Sequence, residues 1–318
     1  MSDYSFLMNN EKHYITIDNY CKHKFNKKTY KVSLNGNFSC PNRDGSLSNK
    51  GCIFCSEKGS GDFAGDKTKP LDIQFNEIKE KMKKKWPDGY YIAYFQANTN
   101  TYGTIEKLKD TYSKIITDNG PIDPNIKVLS IATRPDCINT EIVQYLKELN
   151  SKIEVWVELG FQTSNEETAA LINRGYDNHV FINAVNLLKA NSIKVIVHII
   201  NGLPYETKED MLNTTKLVNS LGVDGIKIHM LHIMKNTPLE EYYGQNKFKV
   251  LSLQEYVDIV VEEIRNISTS TVIHRLTGDA PKDLLIEPLW TLKKLVVMNE
   301  IDKTMRKYNY YQGDLCSK

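Results

Sequence analysis

Apolar and polar residues along this chain follow two alternating periods. Short runs rich in β-branched and aromatic residues occur at Tyr30 to Leu34, Tyr90 to Phe95, Ile126 to Ala132, Ile153 to Leu159, Lys194 to Ile200 and Gly225 to Leu231. Their length and composition predict six strands. Between them the spacing is helical. Leu71, Phe75, Ile78 and Met82 form one apolar stripe, and Ile105, Leu108, Tyr112 and Ile115 form another. Asn139 or Thr140 is placed to cap a helix through Leu149, and Thr207, with Asp210 three residues on, to cap one running to Leu221. Strand and helix alternating without an internal repeat predict an α/β fold, a partial (β/α)6 TIM-like barrel. A doubly wound open sheet is the alternative.

The flanks break this rhythm. Residues 1–29 carry no clear period and read as an N-terminal extension packing on the domain, with a basic cluster of Lys22, His23, Lys24, Lys27 and Lys28. Residues 30–234 are expected to form the barrel. Beyond it, Leu253, Tyr256, Val257, Val260 and Ile264 mark an amphipathic helix, Val272 to Leu276 a short strand, and Pro281 to Tyr308 one or two helices. Residues 235–318 are therefore expected to be a C-terminal extension covering the barrel mouth.

Composition changes this picture little. With 318 residues, 41% hydrophobic and 25% charged, the chain can bury a large core. The start, MSDYSFLMNNEKHY, lacks a basic region followed by an apolar one, and no later apolar run reaches about 18 residues, which predicts a soluble, cytoplasmic protein without a membrane partner. A net charge of +2 does not announce nucleic-acid binding, so that case rests on local clusters.

Cysteine placement changes it most. Cys40, Cys52 and Cys55 are spaced C-x11-C-x2-C on a stretch rich in Gly, Asn, Asp and Ser after the first strand. A loop of this kind can fold three thiolates around one centre. In a reducing compartment such thiols point to metal or redox chemistry over a structural disulfide. The readings are a [4Fe-4S] cluster with one iron open to a ligand, zinc with a histidine such as His23 as fourth ligand, or a thiol redox pair. Cys21, Cys137 and Cys316 lie far apart and read as small buried or incidental thiols.

Phe54 precedes Cys55, and C-x-aromatic-C closing a Gly-bounded loop resembles the cluster loop of radical S-adenosylmethionine (SAM) enzymes. The usual spacing in that superfamily is C-x3-C-x2-C; the longer loop here, with FSCPNRDG, GCIFC and GSGDFAG, narrows the resemblance to one branch, the YtqA/YhcC-type proteins, relatives of the Elongator catalytic subunit. The resemblance implies that Cys40, Cys52 and Cys55 hold a [4Fe-4S] cluster whose open iron chelates SAM, with Phe54 near the adenine. Gln96 to Thr101 stands where many members carry a Gly-Gly-Glu turn for the SAM amino group. That glutamate is absent, leaving Gln96 and Asn98 as candidates. The TRPD tetrapeptide, found in Elongator-like members, supplies Thr133 and Arg134. VELGFQTS and NRGYD resemble the patterns ELGxQS and RGY and imply that Gln162 and Arg174 hold SAM, a guanidinium fork suiting its carboxylate. An Arg174 that answers the helix dipole before Gly175 is the competing account. NGLPYET resembles GLPGET, implying that Gly202 and Leu203 pack on the adenine.

Substrate-side candidates come from KIHMLHIMK and HRLTGDAP: His229, His232 and Lys235 from the first, Arg275 and Asp279 from the second, with Arg134 from TRPD. Alternate residues of a strand face opposite sides, so at most one of His229 and His232 is expected to line the cavity. His198 reads as a satisfied core histidine.

The resemblance implies reductive cleavage of SAM to methionine and a 5'-deoxyadenosyl radical, with flavodoxin or ferredoxin as an electron donor. It further implies tRNA as substrate, the wobble-uridine C5 side chain being taken from carboxymethylaminomethyl to aminomethyl. Lys293, Lys294, Lys303, Arg306 and Lys307, interleaved with Tyr308, Tyr310 and Tyr311, suit phosphate contact and base stacking. A small metabolite or protein side chain as substrate, or a noncatalytic metal-binding barrel, are the alternatives.

Overall fold

The structure is a computed structural model describing residues 3–316. Seven parallel strands lie in chain order across one sheet: β1 (Thr29–Leu34), β2 (Tyr90–Phe95), β3 (Ile126–Thr133), β4 (Glu154–Gln162), β5 (Lys194–Asn201), β6 (Gly225–Met230) and β7 (Val272–Arg275). The sheet curls into an open half-barrel with helices outside. Runs such as YIAYF and KVLSIA are nearly continuous in apolar residues because each parallel strand is covered on both faces. The crossovers carry α2 (Leu71–Lys83), α3 (Ile105–Ser113), α4 (Thr140–Lys152), α5 (Glu166–Leu171), α6 (Asn178–Ala190) and α7 (Lys208–Ser220). Asn139 caps α4 by accepting from the Ile142 amide, and Thr207 with Asp210 forms a reciprocal capping box on α7.

Six of these strands are the predicted ones. The seventh, β7, comes from the segment expected as C-terminal extension. It pairs with β6, and residues 15 and 16 in turn cover its free edge: the Ile273 amide donates to the Ile15 carbonyl at 2.8 Å, with a parallel bridge at Thr16.

The N-terminal segment is more ordered than its aperiodic sequence predicts. Thr16 caps α1 (Ile17–Phe25). Tyr20 and Cys21 from this helix join Ile92, Val128, Trp156 and Ile196 in one apolar cluster, while Lys24 pairs with Glu154 at the start of β4. The helix thereby closes the N-terminal end of the barrel. The basic residues are largely spoken for: Lys22 pairs with Asp18 and Lys27 with Asp88.

The C-terminal segment divides between the two ends of the barrel, correcting the expectation that it covers the mouth throughout. Helix α8 (Pro238–Gln245) lies against the cysteine loop, the Leu239 amide donating to the Ile53 carbonyl at 2.9 Å. Helix α9 (Leu253–Arg265) packs on α7, and α10 (Lys294–Lys307) on α9. Helix α10 starts at the mouth, where Lys294 pairs with Asp279, and its 14 residues carry the chain about 21 Å away. At its far end Gln312 accepts from the Ile15 amide and donates to the carbonyls of Ser268 and Thr271, all at 2.8 Å. Tyr310 lies under the Arg265 guanidinium, and its carbonyl accepts from His13. Tyr308, Tyr310, Tyr311, Arg306 and Lys307 thus sit near the closed end, remote from the mouth.

Candidate active site in the barrel mouth

The loop after β1 carries Cys40, Cys52 and Cys55, all free thiols facing one cavity. Backbone amides of Arg43 and Asp44 donate to the Cys40 carbonyl, and the Cys55 amide to that of Cys52. The Arg43 guanidinium donates to the carbonyls of Ser56 and Glu57, tying the start of the long C-x11-C insertion to the segment just after Cys55. Gly59 has φ +62, and a Cβ there would stand 1.9 Å from Asn98 Oδ1. Only glycine lets the loop lie this close to the end of β2.

Burial, with Cys55 beside it, pushes the Cys52 thiol up to about 12, and burial raises Cys55 as well. Thiolates here therefore need cationic charge inside the site. Among the described residues no three of His, Cys, Asp and Glu surround one point as a single ion requires. A four-iron cube takes each thiolate at a different iron, so its ligands stand farther apart.

The cavity measures about 920 Å³ and runs from these cysteines down into the barrel lumen. At its centre, buried Glu158 of β4 accepts from Ser130 Oγ at 2.7 Å and Lys31 Nζ at 2.9 Å, with His198 Nε2 at 2.7 Å and the Lys227 ammonium also in contact. Burial alone raises a carboxyl pKa, but Lys227, Lys31 and His198 outweigh it and hold Glu158 well below the usual range. Burial, with Lys227 adding to it, lowers His198 to about 4, so the ring is neutral. Lys31 and Lys227 each lie 4.6 Å from the Tyr94 ring centre.

Residues 46–218 match the Radical SAM superfamily and residues 223–307 the Radical_SAM C-terminal domain. The chain belongs to the radical SAM superfamily. It is 45% identical over 305 residues to Bacillus subtilis YtqA, covering 96% of this chain and 93% of that one, and 32% identical to Escherichia coli YhcC, covering 90% of each. In fold it is similar to an N-terminally truncated Elp3 of Methanocaldococcus infernus, with a TM-score of 0.65 and 18% identity over 89% of this chain and 64% of that one. Radical SAM proteins use a [4Fe-4S] cluster and SAM. The three thiols on one cavity wall and their need for cationic charge fit that cluster.

The residues expected to meet SAM fall into two groups. Phe54, Gln96, Asn98, Thr133, Gln162 and Arg174 all line this cavity. Gln162 stands at φ +67, unusual for glutamine, beside a register shift in the β4–β5 pairing. Asn98 donates to the Phe38 carbonyl at 3.0 Å, and Thr133 shares a 2.6 Å hydroxyl contact with Thr101. Arg174 is 1% exposed, and all five of its N–H donors are engaged: by the carbonyls of Tyr176, Phe161 and Thr163, by Glu166 and by Asn178. Gly202 and Leu203 do not line this cavity. Leu203 packs in an apolar cluster that includes Ile53 and Phe54, so it backs the loop from below.

On the substrate side, His229 and His232 both line the cavity, contrary to the expected alternation, because β6 ends at Met230 and His232 lies beyond the pleat. Arg134, Arg275 and Asp279 also line it; Arg134 is held bidentately by Asp136 at 2.9 and 2.7 Å. Lys235 is exposed outside the cavity and donates to the Asp283 carbonyl. His198 is hydrogen-bonded, as expected, yet faces the lumen. Sequence reasoning missed Glu158, Lys31 and Tyr94. The signal for Glu158 and Lys31 was a charged residue inside an otherwise apolar strand, VWVELGF and YKVSL.

Proposed function

We propose that this radical SAM enzyme acts on tRNA, remodelling the wobble-uridine C5 side chain from carboxymethylaminomethyl to aminomethyl. When bound, cluster and SAM supply a carbon-centred radical able to abstract hydrogen from an unactivated carbon. Cys40, Cys52 and Cys55 hold the cluster. Gln96, Asn98, Thr133 and Gln162 offer hydrogen-bonding groups to SAM, and Phe54, backed by Leu203, offers the adenine an apolar face. The enclosing barrel excludes water and competing hydrogen donors. A reductant such as flavodoxin or ferredoxin supplies the electron. Among the described residues no helix is long and apolar enough to cross a membrane, and we place the enzyme in the cytoplasm.

The observation carrying this reading is that one cavity joins the three cysteines to a polar lumen, with exposed Phe63 and Leu292 at its rim. Its volume is near the upper end for small-ligand sites, roughly 300–1,000 Å³, leaving room for a nucleoside beside SAM. An exposed aromatic at the entrance suits stacking of a splayed base. The test has two parts. Anaerobically reconstituted protein should cleave SAM and lose its iron when Cys40, Cys52 or Cys55 becomes Ala, while Cys21, Cys137 and Cys316 variants keep it. Nucleoside profiling of tRNA from a deletion strain should show the carboxymethylaminomethyl form accumulating. An unchanged profile sinks the tRNA reading and favours a small substrate.

A further inference from the structure

Charges within the lumen do not balance. Glu158 serves two cations, Lys31 and Lys227, and Asp279 serves two more, Arg275 and Lys294, both at 3.1 Å. On this stretch of the cavity wall two carboxylates thus answer four cations; Asp62, the other lining carboxylate, belongs to the cysteine loop, where it accepts from Ser56. The cations also act on one another: burial first, then Lys31 and Arg275, hold Lys227 well below its usual basicity in spite of Glu158. Buried charge in excess of its partners is costly until something completes it.

Three imidazoles facing the same space have hydrogen-bonding capacity to spare. Nε2 of His229, Nε2 of His232 and Nδ1 of His274 are buried and without a partner among the described residues. Burial keeps all three rings neutral, His232 near 4 and the other two well below the ordinary range. A neutral imidazole presents one donor and one acceptor. The cations also face these rings: Arg275 is felt at His229, His232 and Lys227 alike.

We propose that this part of the lumen is a subsite for a carboxylate on the substrate, bound by Arg275 and Lys227, with His229 and His274 completing its hydrogen bonds. A carboxylate accepts about four hydrogen bonds and carries one of the two negative charges that this stretch of wall lacks. Backbone phosphate is the less suitable anion, since a sugar flanks it on either side and keeps it at the rim, whereas a carboxylate on a flexible arm reaches inward. Positions 227 and 275 are paired in the β6–β7 register, so their side chains approach the ligand from adjacent strands. The subsite deepens the wobble-uridine reading and rests on it for the identity of the arm, whose carboxymethyl end supplies such a group.

The test uses reconstituted, SAM-loaded protein and two pairs of probes: 5-carboxymethylaminomethyluridine with its primary amide, and N-methylglycine with its amide. Calorimetry on wild type should show the acid of each pair bound roughly tenfold or more tightly than the amide, the loss of one charge-assisted hydrogen bond being enough for that ratio. Arg275→Gln, at a partly exposed position, should bring the acid-to-amide ratio near one. Should Arg275→Gln fail to retain its cluster absorbance, Lys227→Gln is the second variant and should lower the acid-to-amide ratio in the same way. Equal binding of acid and amide by wild type overturns the subsite. Discrimination within the N-methylglycine pair without binding of either nucleoside supports the subsite and removes the uridine reading, while nucleoside binding indifferent to the carboxylate does the reverse.

Discussion

The Asn42 side-chain amide donates to the Asn173 carbonyl at 2.6 Å, and the Asn173 side-chain amide returns a bond to the Gly51 carbonyl at 2.7 Å. Two asparagines 131 residues apart thus clasp the cysteine loop to the turn after α5. Asn173 stands at φ +54, a conformation that asparagine and glycine tolerate. Asn173→Gly keeps that backbone and removes only the amide, so it should cost about 1–3 kcal/mol of local stability. Iron and sulfide retained after gel filtration should drop while the overall fold, read by circular dichroism, persists. Full retention would show that the loop holds its shape without the clasp.

Arg174 tests whether full occupancy by protein partners is compatible with a role toward SAM. A ligand can reach its fork only by displacing a present partner, and Glu166, whose side chain is 50% exposed, is the one placed to move. Arg174→Lys keeps the charge but cannot span five acceptors, so the apo protein should melt several degrees lower. Glu166→Gln should leave that melting point nearly unchanged and raise SAM affinity severalfold if the guanidinium meets the SAM carboxylate. Unaltered SAM affinity in both variants assigns Arg174 to holding the β4–α6 connection alone.

The split of the C-terminal segment makes the tRNA reading testable by position. Lys293 and Lys294 stand at the mouth, Arg306 and Lys307 a helix length away. Charge reversal of the first pair should weaken tRNA binding and flatten its salt dependence, each lost phosphate contact lowering the slope by about one. Reversal of the second pair should leave both nearly unchanged. Equal effects from both pairs in a filter-binding titration would mean that tRNA does not engage the mouth in preference.

Glu263 sets a pH dependence of stability. It is fully buried on α9, accepts from Asn201 Nδ2 at 2.7 Å and Thr215 Oγ1 at 2.8 Å, and burial raises its pKa to about 8 despite those bonds. An unfolded glutamate loses its proton near the ordinary value of about 4.3. Between that value and about 8 the folded chain holds a proton that the unfolded chain lacks, so stability falls as pH rises through this window and levels off above it. Glu263→Gln should abolish this portion of the slope. Urea melts from pH 5 to pH 9 that remain parallel for both proteins would contradict it.

How much of this was legible beforehand depended on range. Apolar periodicity marks β1 to β6 because each parallel strand is covered on both faces, and C-x11-C-x2-C marks the cysteine loop because its three thiols are close in sequence. Helix α1 escaped notice, since Ile17, Tyr20, Cys21 and Lys24 make a stripe only once the aliphatic stem of Lys24 is counted as part of it. The pairing of Glu158 with Lys31 spans 127 residues, and no local pattern announces which lysine a buried glutamate will find. The fate of the tyrosine-bearing tail was equally nonlocal, being decided by Gln312 bonding to residues 15, 268 and 271.

Helix α1 also has a kinetic corollary. By stoppering one end of the lumen it leaves, among the described residues, the mouth beside the cysteine loop as the doorway for what enters. A ligand arm that reaches the level of Lys227 must pass the cysteine loop before that doorway is filled, and it can depart only after the doorway clears. Turnover should therefore be sequential, with a compulsory order of arrival and the reverse order of exit, and steady-state product inhibition patterns should reveal which partner is last in and first out.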